Sequence, residues 1–345
     1  MSLEIAGRPV GSGHPLFVIA ELGLNHGGSL ERALALVEAA ADAGASAVKL
    51  QTFRSEELVS PVCPAPAHVS VSSLQAFFRQ FELDEAAHRE VRARAHARGL
   101  AFMATAFSRS AVALLERVGV DAYKIASGDI TFHDLIASCA RTGKPVVLST
   151  GMASLDEARA AISTLRAAGA SALATLHCVS AYPVPRGQDN LRAIATLHAA
   201  FGGVVGLSDH GTNPLAVPLA VALGASIYER HLILPGDDGV DRAVSSTPDE
   251  LRAVVEQAAT AAAMLGHGRK ECLDVERPNR EPSRRALHVA QTRRPGDVVR
   301  PEDIVVLRPG TGLPPGRERE LIGITMSRLA EAGSVFQGSD IRAER

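Results

Sequence analysis

Eight times between residues 1 and 268 a short apolar run ends in a polar or charged side chain and is followed by a stretch of helical period. The runs are LFVIAE (16–21), SAVKLQ (46–51), LAFMAT (100–105), DAYKIA (121–126), PVVLST (145–150), LATLHC (173–178), GVVGLS (203–208) and SIYERH (226–231). The intervening segments are Ala-rich and amphipathic. Those at 29–44, 84–99 and 154–169 each open with a Ser or Asp able to cap a helix and close at a Gly suited to a left-handed end. Strands separated by helices of this length pair in parallel through right-handed crossovers. Eight such units predict a closed (β/α)8 TIM barrel, whose chemistry gathers where the strands end. An open doubly wound sheet is the structural alternative, but no G-x-G-x-x-G turn marks a dinucleotide crevice.

The pattern changes after Gly268. RKECLDVERPNREPSRR is charged, holds prolines and lacks an apolar period, as a linker does. The expected organisation is a barrel over 1–268, a linker over 269–284 and a compact, mostly β module over 285–345. In the last, ALHVAQ, a PGD turn, IVVLRPG and SVFQGSDI read as short strands and turns. The stretch 54–81 is long for a βα connection and predicts an irregular excursion over the rim, of the kind that forms lids.

Composition narrows the function. A formal charge of −2 offers no global attraction to nucleic acid or an anionic membrane, so any phosphate must be recognised locally. The four cysteines are scattered, with no CxxC pair, and read as reduced, buried small hydrophobes. No basic-then-apolar leader and no apolar run of about 20 residues is present, so a soluble cytoplasmic protein is expected.

The residues at and just after the strand ends are Glu21, Lys49, Gln51, Thr105, Lys124, Ser127, Ser149, Ser180, Tyr182, Ser208, His210 and His231. Lys124 in KIASGD, with Ser127 and Ser149 close by, suits a phosphate or carboxylate, and Lys49 offers a second cation. His210 and His231 close adjacent strands and could share one divalent ion, leaving positions for water and substrate oxygen. Two protein ligands fit an ion of the Mn²⁺ or Mg²⁺ type better than a structural zinc. Glu21 is either a general base or a counter-charge for the lysines. His26, beside a GlyGly turn, reads equally as a site residue or a structural one, and His177 reads as core.

With these residues in place the chain resembles the sialic acid synthase family, which makes nonulosonic acids from phosphoenolpyruvate and an N-acylated six-carbon sugar. AELGLNHGG (20–28), AVKLQTF (47–53), YKIASGD (123–129), STGM (149–152), HCVSAYPVP (177–185), GLSDHG (206–211) and ERH (229–231) carry the resemblance over almost the whole chain. RRALHVAQ, RPGDVVRPEDI and LRPGTG are similar to the small antifreeze-like (SAF) domain of these synthases. The resemblance implies that Lys49, Thr105, Lys124, Ser127, Ser149 and Ser208 hold phosphoenolpyruvate and that His210 and His231 bind the metal. It implies Mn²⁺ ahead of Mg²⁺ or Co²⁺, an acid/base or orienting Glu21, and Gln51, Asp129 and Tyr182 facing the sugar. It further implies a domain-swapped homodimer in which Arg308 reaches the substrate acyl group bound by the partner.

Three positions depart from the family pattern. GDDGVDR (236–242) places Arg242 where a histidine is common, Ser180 stands where enzymes of the N-acetylmannosamine type carry Asn, and Asp129 replaces the glutamate frequent in KIASGE. The expected reaction is condensation of phosphoenolpyruvate with an N-acetylmannosamine or diacetamido-trideoxyhexose aldehyde, giving a nine-carbon 2-keto acid and phosphate. Two other classes compete: a Schiff-base aldolase using Lys124, and a non-catalytic sugar-binding barrel.

Overall fold

The computed structural model describes residues 2–63 and 73–337. It divides into two compact units, Met1–Gly266 and His267–Arg345. The first opens with an antiparallel hairpin, β1 (Ser2–Ile5) and β2 (Arg8–Gly11). Eight parallel strands follow: β3 (Phe17–Gly23), β4 (Ala47–Thr52), β5 (Ala101–Ala106), β6 (Ala122–Ile125), β7 (Val146–Ser149), β8 (Leu173–Cys178), β9 (Val204–Asp209) and β10 (Ile227–Leu232). Each pairs with the next, and β10 pairs with both β9 and β3, so the sheet closes into the expected barrel. A two-residue strand, β11 (Ser245–Ser246), adds to the far end of β10 with His231 opposite Ser245.

The strands are almost wholly buried because both faces are covered, and they are largely apolar up to their C-terminal ends. Side chains alternate between an interior stack and an outer layer. Phe17, Ile19, Met103, Val147, Leu176 and Ile227 fill the interior, and Leu3, Ile5 and Val10 of the hairpin pack against them. The hairpin therefore plugs the N-terminal end, and the polar residues one step further along each strand are left to the opposite rim. Outward-facing Val18, Val48, Phe102 and Leu148 meet the helices through Leu36, Val91, Leu115 and Ile162.

The helices start where capping chemistry tells them to. Ser29, Asp84 and Ser154 accept from the backbone N–H three residues on, and Ser154 completes a capping box with Glu157. Each such cap stabilises by about 1 kcal/mol. After these helices Gly44, Gly99 and Gly169 take φ of +84°, +70° and +99°, a backbone that side-chain-bearing residues adopt only with strain.

Several expectations need correction. The excursion after β4 is not wholly irregular: it contains helices at Ser55–Leu58 and Leu74–Arg79, while residues 64–72 lie outside the described part. The stretch read as linker carries a 3-10 turn at Asp274–Glu276 and a short helix at Arg277–Ser283. That helix has no buried residue, so apolar periodicity could not reveal it. The tail forms a two-stranded antiparallel sheet, β12 (Ala286–Val289) with β13 (Ile304–Leu307), plus single bridges such as His288 to Val335. The end of SVFQGSDI lies outside the described residues. Of the four cysteines only Cys139 and Cys178 are buried as expected; Cys63 is exposed and Cys272 half-buried. No helix among the described residues is long and apolar enough to cross a membrane.

Candidate active site

At the C-terminal rim of the barrel a cavity of about 370 Å³ is lined by Glu21, Lys49, Gln51, Thr105, Lys124, Ser127, Ser149, Ser180, Tyr182, Ser208, His210, Glu229 and His231, with Phe107, Met152 and Cys178 among the remaining wall residues. Strand register explains the convergence. His231 lies opposite Glu21, Glu21 opposite Lys49, Gln51 opposite Thr105, and Thr105 opposite Lys124. In a closed sheet these neighbours form a ring of inward-pointing side chains.

Half of the ring is a buried charge cluster. Lys49 Nζ contacts Glu21 Oε2, donates to Thr105 Oγ1 at 2.9 Å and lies 3.6 Å from Glu229 Oε1. Lys124 Nζ lies 3.8 Å from the same Glu229 oxygen and donates to the Ile125 carbonyl at 3.2 Å. Ser208 Oγ donates to Glu229 Oε1 at 3.3 Å, and the Gly23 N–H donates to Glu21 Oε1 at 2.6 Å. Burial alone would raise the Glu229 carboxyl, but Lys124 and Lys49 outweigh it and hold its pKa at about 2. Burial would lower Lys49, yet Glu21 and Glu229 raise it above the ordinary lysine value. Lys124 goes the other way: burial lowers it, Glu229 only partly opposes, and Lys49 adds to the fall.

Two lysines against two carboxylates leave the cluster near neutrality, but its donors are not used up. Lys124, with three N–H donors, makes one hydrogen bond and one long ion pair, and the buried Ser149 Oγ has no hydrogen-bond partner among the described residues. Beside them the Gly151 N–H donates to Ser127 Oγ at 2.9 Å. This side of the cavity is a ready site for an oxyanion. A Cβ on Gly151 would lie 2.4 Å from Ser180 Oγ and 2.8 Å from Ser127 Oγ, closing the space between the hydroxyls. Gly151→Ala is therefore expected to raise the KM of an anionic substrate about tenfold or more with folding intact; an unchanged KM in steady-state kinetics would place the anion elsewhere.

The other half carries the imidazoles. The His210 and His231 ring centres are 5.5 Å apart. Two imidazoles bonded to one ion at about 2.0–2.1 Å hold their ring centres roughly 5 Å apart, so the spacing fits a shared cation. The outer nitrogens fit as well. His210 Nδ1 donates to the Val179 carbonyl at 3.1 Å, and His231 Nδ1 faces Asp241 Oδ2 at 3.2 Å, leaving both Nε2 atoms for the cavity. A carbonyl or carboxylate on the far nitrogen is the usual support of a metal-bound histidine. Among the described residues no third carboxylate, thiol or imidazole completes a protein-only metal cluster, so water and substrate would have to finish the coordination. Tyr182 stacks over His210 at 4.2 Å between centres.

The cavity thus brings together all the candidate residues of the first unit except Asp129 and His26. Asp129 sits in a 3-10 turn after β6, off the cavity wall; burial lifts its carboxyl to about 6 and Lys124 only partly opposes. Arg308 is exposed at the end of β13 in the second unit. His26 accepts from the Gly28 N–H at 3.0 Å, and burial lowers its pKa to about 4. His177 is buried and bonded to the Asp189 carbonyl at 2.7 Å. Arg242 points to solvent and pairs with Asp238, whereas its neighbour Asp241 faces His231.

Two residues with no role read from the sequence belong to the site. Glu229 lies two positions before His231, and strand alternation from that histidine would have found it. Asp241 has no local signal. It is held by long-range bonds: Asn25 Oδ1 accepts from its N–H at 3.1 Å, and its own Oδ2 accepts from the Leu24 N–H at 3.1 Å.

Several known proteins are similar to the chain in sequence and structure. The profile of the NeuB family matches residues 36–270. The N,N'-diacetyllegionaminic acid synthase of Legionella pneumophila is 34% identical, over 97% of each chain. A pseudaminic acid synthase of Campylobacter jejuni is 32% identical over 95% of this chain and 97% of its own. The crystal structure of an N-acetylneuraminic acid (sialic acid) synthetase from Leptospira borgpetersenii superposes with a TM-score of 0.73 and 33% identity, covering 81% of this chain and 95% of that one.

Proposed function

From the premise that the chain belongs to the NeuB family, whose named relatives include legionaminic, pseudaminic and sialic acid synthases, we propose that it is a nonulosonic acid synthase. It condenses phosphoenolpyruvate with the open-chain aldehyde of an N-acylated amino sugar, of the N-acetylmannosamine or diacetamido-trideoxyhexose type. The observation that carries this reading is the two-sided cavity. An oxyanion site of Lys124, Ser127 and Ser149 shares 370 Å³ with two imidazoles spaced for one cation.

In this reading Lys124, Ser127, Ser149 and Ser208 hold the phosphate side of phosphoenolpyruvate, and Lys49 with Thr105 holds its carboxylate. Carbon 3 attacks the aldehyde, water adds to carbon 2, and phosphate leaves by carbon–oxygen cleavage. A divalent ion of the Mn²⁺ type, held by His210 and His231, would supply Lewis acidity at the aldehyde oxygen. Glu21, pinned by the Gly23 N–H and paired with Lys49, is placed to accept a proton from water or to orient it. Gln51 and Tyr182 face the sugar. The lysines and hydroxyls are fixed before substrate arrives, so they stabilise developing charge without reorganising.

The second unit is assigned in the same reading as an antifreeze-like domain that covers a partner's barrel in a domain-swapped dimer. Arg308→Ala is then expected to raise the sugar KM at least tenfold while the KM of phosphoenolpyruvate moves little; equal effects on both would remove Arg308 from the sugar site. Direct support for the activity would be phosphate release from phosphoenolpyruvate that requires an acceptor and stops with chelator. The panel is N-acetylmannosamine, its 6-phosphate and diacetamido trideoxyhexoses, and no release with any of them, from folded Mn²⁺-supplied protein, would overturn the assignment. One observation favours a second reading: the lowered pKa of Lys124 also suits an imine-forming amine. Borohydride trapping of substrate on Lys124 would select it.

A further inference from the structure

The two imidazoles are each preceded in sequence by a charged residue, Asp209 and Arg230, that points the opposite way, through the outer face of the barrel wall. Both are buried, Arg230 at 8% exposure. An uncompensated guanidinium there would cost several kcal/mol, so its partners matter. Arg230 Nη1 donates to the Asp209 carbonyl at 3.3 Å and to the Gly211 carbonyl, the carbonyls of the two residues that flank His210. Arg230 Nε donates to Ser246 Oγ at 3.0 Å, and Nη1 lies 3.5 Å from Asp209 Oδ2. Asp209 in turn accepts from the Gly211 N–H at 2.7 Å and from the Tyr228 hydroxyl at 2.6 Å.

We propose that Arg230, held in a cradle of Asp209, Tyr228 and Ser246, is a positioning residue that sets the spacing of the His210 and His231 imidazoles and so the affinity of the site for a divalent cation. The inference rests on the reading of that pair as metal ligands. It deepens that reading by naming what fixes the pair. The guanidinium bonds the main chain on both sides of His210, while its own Cα adjoins His231 on β10. Through Ser246 it also grips β11, the strand reached by the segment whose Asp241 carboxylate faces His231 Nδ1. One side chain therefore ties together the three chain segments that orient the two rings. Removing it frees β9 and β10 to shift against each other at their ends, where a few tenths of an ångström decides whether both Nε2 atoms reach one ion.

A purely structural role would make metal affinity follow stability, so the two must be measured separately. Mn²⁺ binding is titrated by electron paramagnetic resonance of the free ion, alongside thermal unfolding, on the full chain. The proteins are wild type, His210→Ala, Tyr228→Phe, and the charge-free double variant Arg230→Met with Asp209→Asn. Removing both charges together avoids stranding either one, so the double variant is expected to unfold close to wild type. It is nevertheless expected to bind Mn²⁺ about 10- to 100-fold more weakly, the usual cost of losing an outer support. Tyr228→Phe deletes one oxygen without touching charge and is expected to weaken Mn²⁺ several-fold; it keeps the test open should the double variant not fold. Wild-type Mn²⁺ affinity in folded Tyr228→Phe or in the folded double variant, with His210→Ala impaired, overturns the positioning role alone. Equal binding by wild type and His210→Ala overturns the ligand assignment and this proposal with it.

Discussion

His210→Ala is expected to lower turnover about a thousandfold or more and to abolish its response to added Mn²⁺, with the fold retained. Lewis-acid polarisation is worth several kcal/mol at the transition state, and each 1.36 kcal/mol is about tenfold in rate. The substitution is structurally mild. His210 follows the last residue of β9, its ring faces the cavity, and its Nδ1 donates to the Val179 carbonyl at the rim. The neighbouring Cys178 thiol, 3.7 Å from Nδ1, and the Tyr182 ring lose a packing partner without leaving a buried charge. Two measurements separate the possible outcomes. Phosphate release with and without chelator reports the chemistry, and far-ultraviolet circular dichroism reports the fold. Undiminished chelator-sensitive activity would remove His210 from the metal site and leave His231 without a partner.

Much of this architecture was legible because a strand covered on both faces must be apolar until it emerges, and the first polar residue then marks the rim. That logic locates Glu21, Lys49, Lys124, Ser149 and Ser208 without knowledge of their neighbours. The helices were legible through their caps, Ser29, Asp84 and Ser154, which report a local hydrogen bond. What escaped was of two kinds. Glu229 was hidden by its position inside the run SIYERH, where it reads as a strand residue until the alternation with His231 is followed inward. Asp241 was hidden by distance: Asn25, more than 200 positions earlier, clamps its loop. Its neighbour Arg242, which departs from the family pattern, is turned out to solvent by a one-residue difference in loop position. Asp129, whose role comes only from the resemblance, follows Ser127 in a 3-10 turn at Ser127–Asp129; Ser127 lines the cavity and Asp129 is not among its wall residues.

Glu229→Gln tests the least visible of these residues, and its effect is expected to reverse sign with pH. Stability comes first. The folded carboxyl titrates at about 2, below the ordinary value of 4.5, so its contribution is fully present above about pH 4.5 and is lost as pH falls toward 2. Removing one member of a buried ion pair costs about 3 kcal/mol or more. The variant should therefore unfold about 3 kcal/mol more easily at pH 7, with the gap closing in acid. A gap that persists at pH 2 would mean that the loss is one of packing. Activity runs the other way along the pH axis. Glu229 is the carboxylate that opposes the fall of the Lys124 pKa; without it the amine gives up its proton at lower pH. While Lys124 stays protonated, the variant has one fewer carboxylate competing for the lysines, and phosphoenolpyruvate should bind as tightly as to wild type or tighter. Once Lys124 is neutral, a charge-assisted contact is gone and affinity should fall about tenfold or more. The KM of phosphoenolpyruvate across pH 6 to 10 is the measurement. The variant's alkaline limb is expected at lower pH than that of wild type, and coincident limbs would show that Glu229 does not control the charge on Lys124.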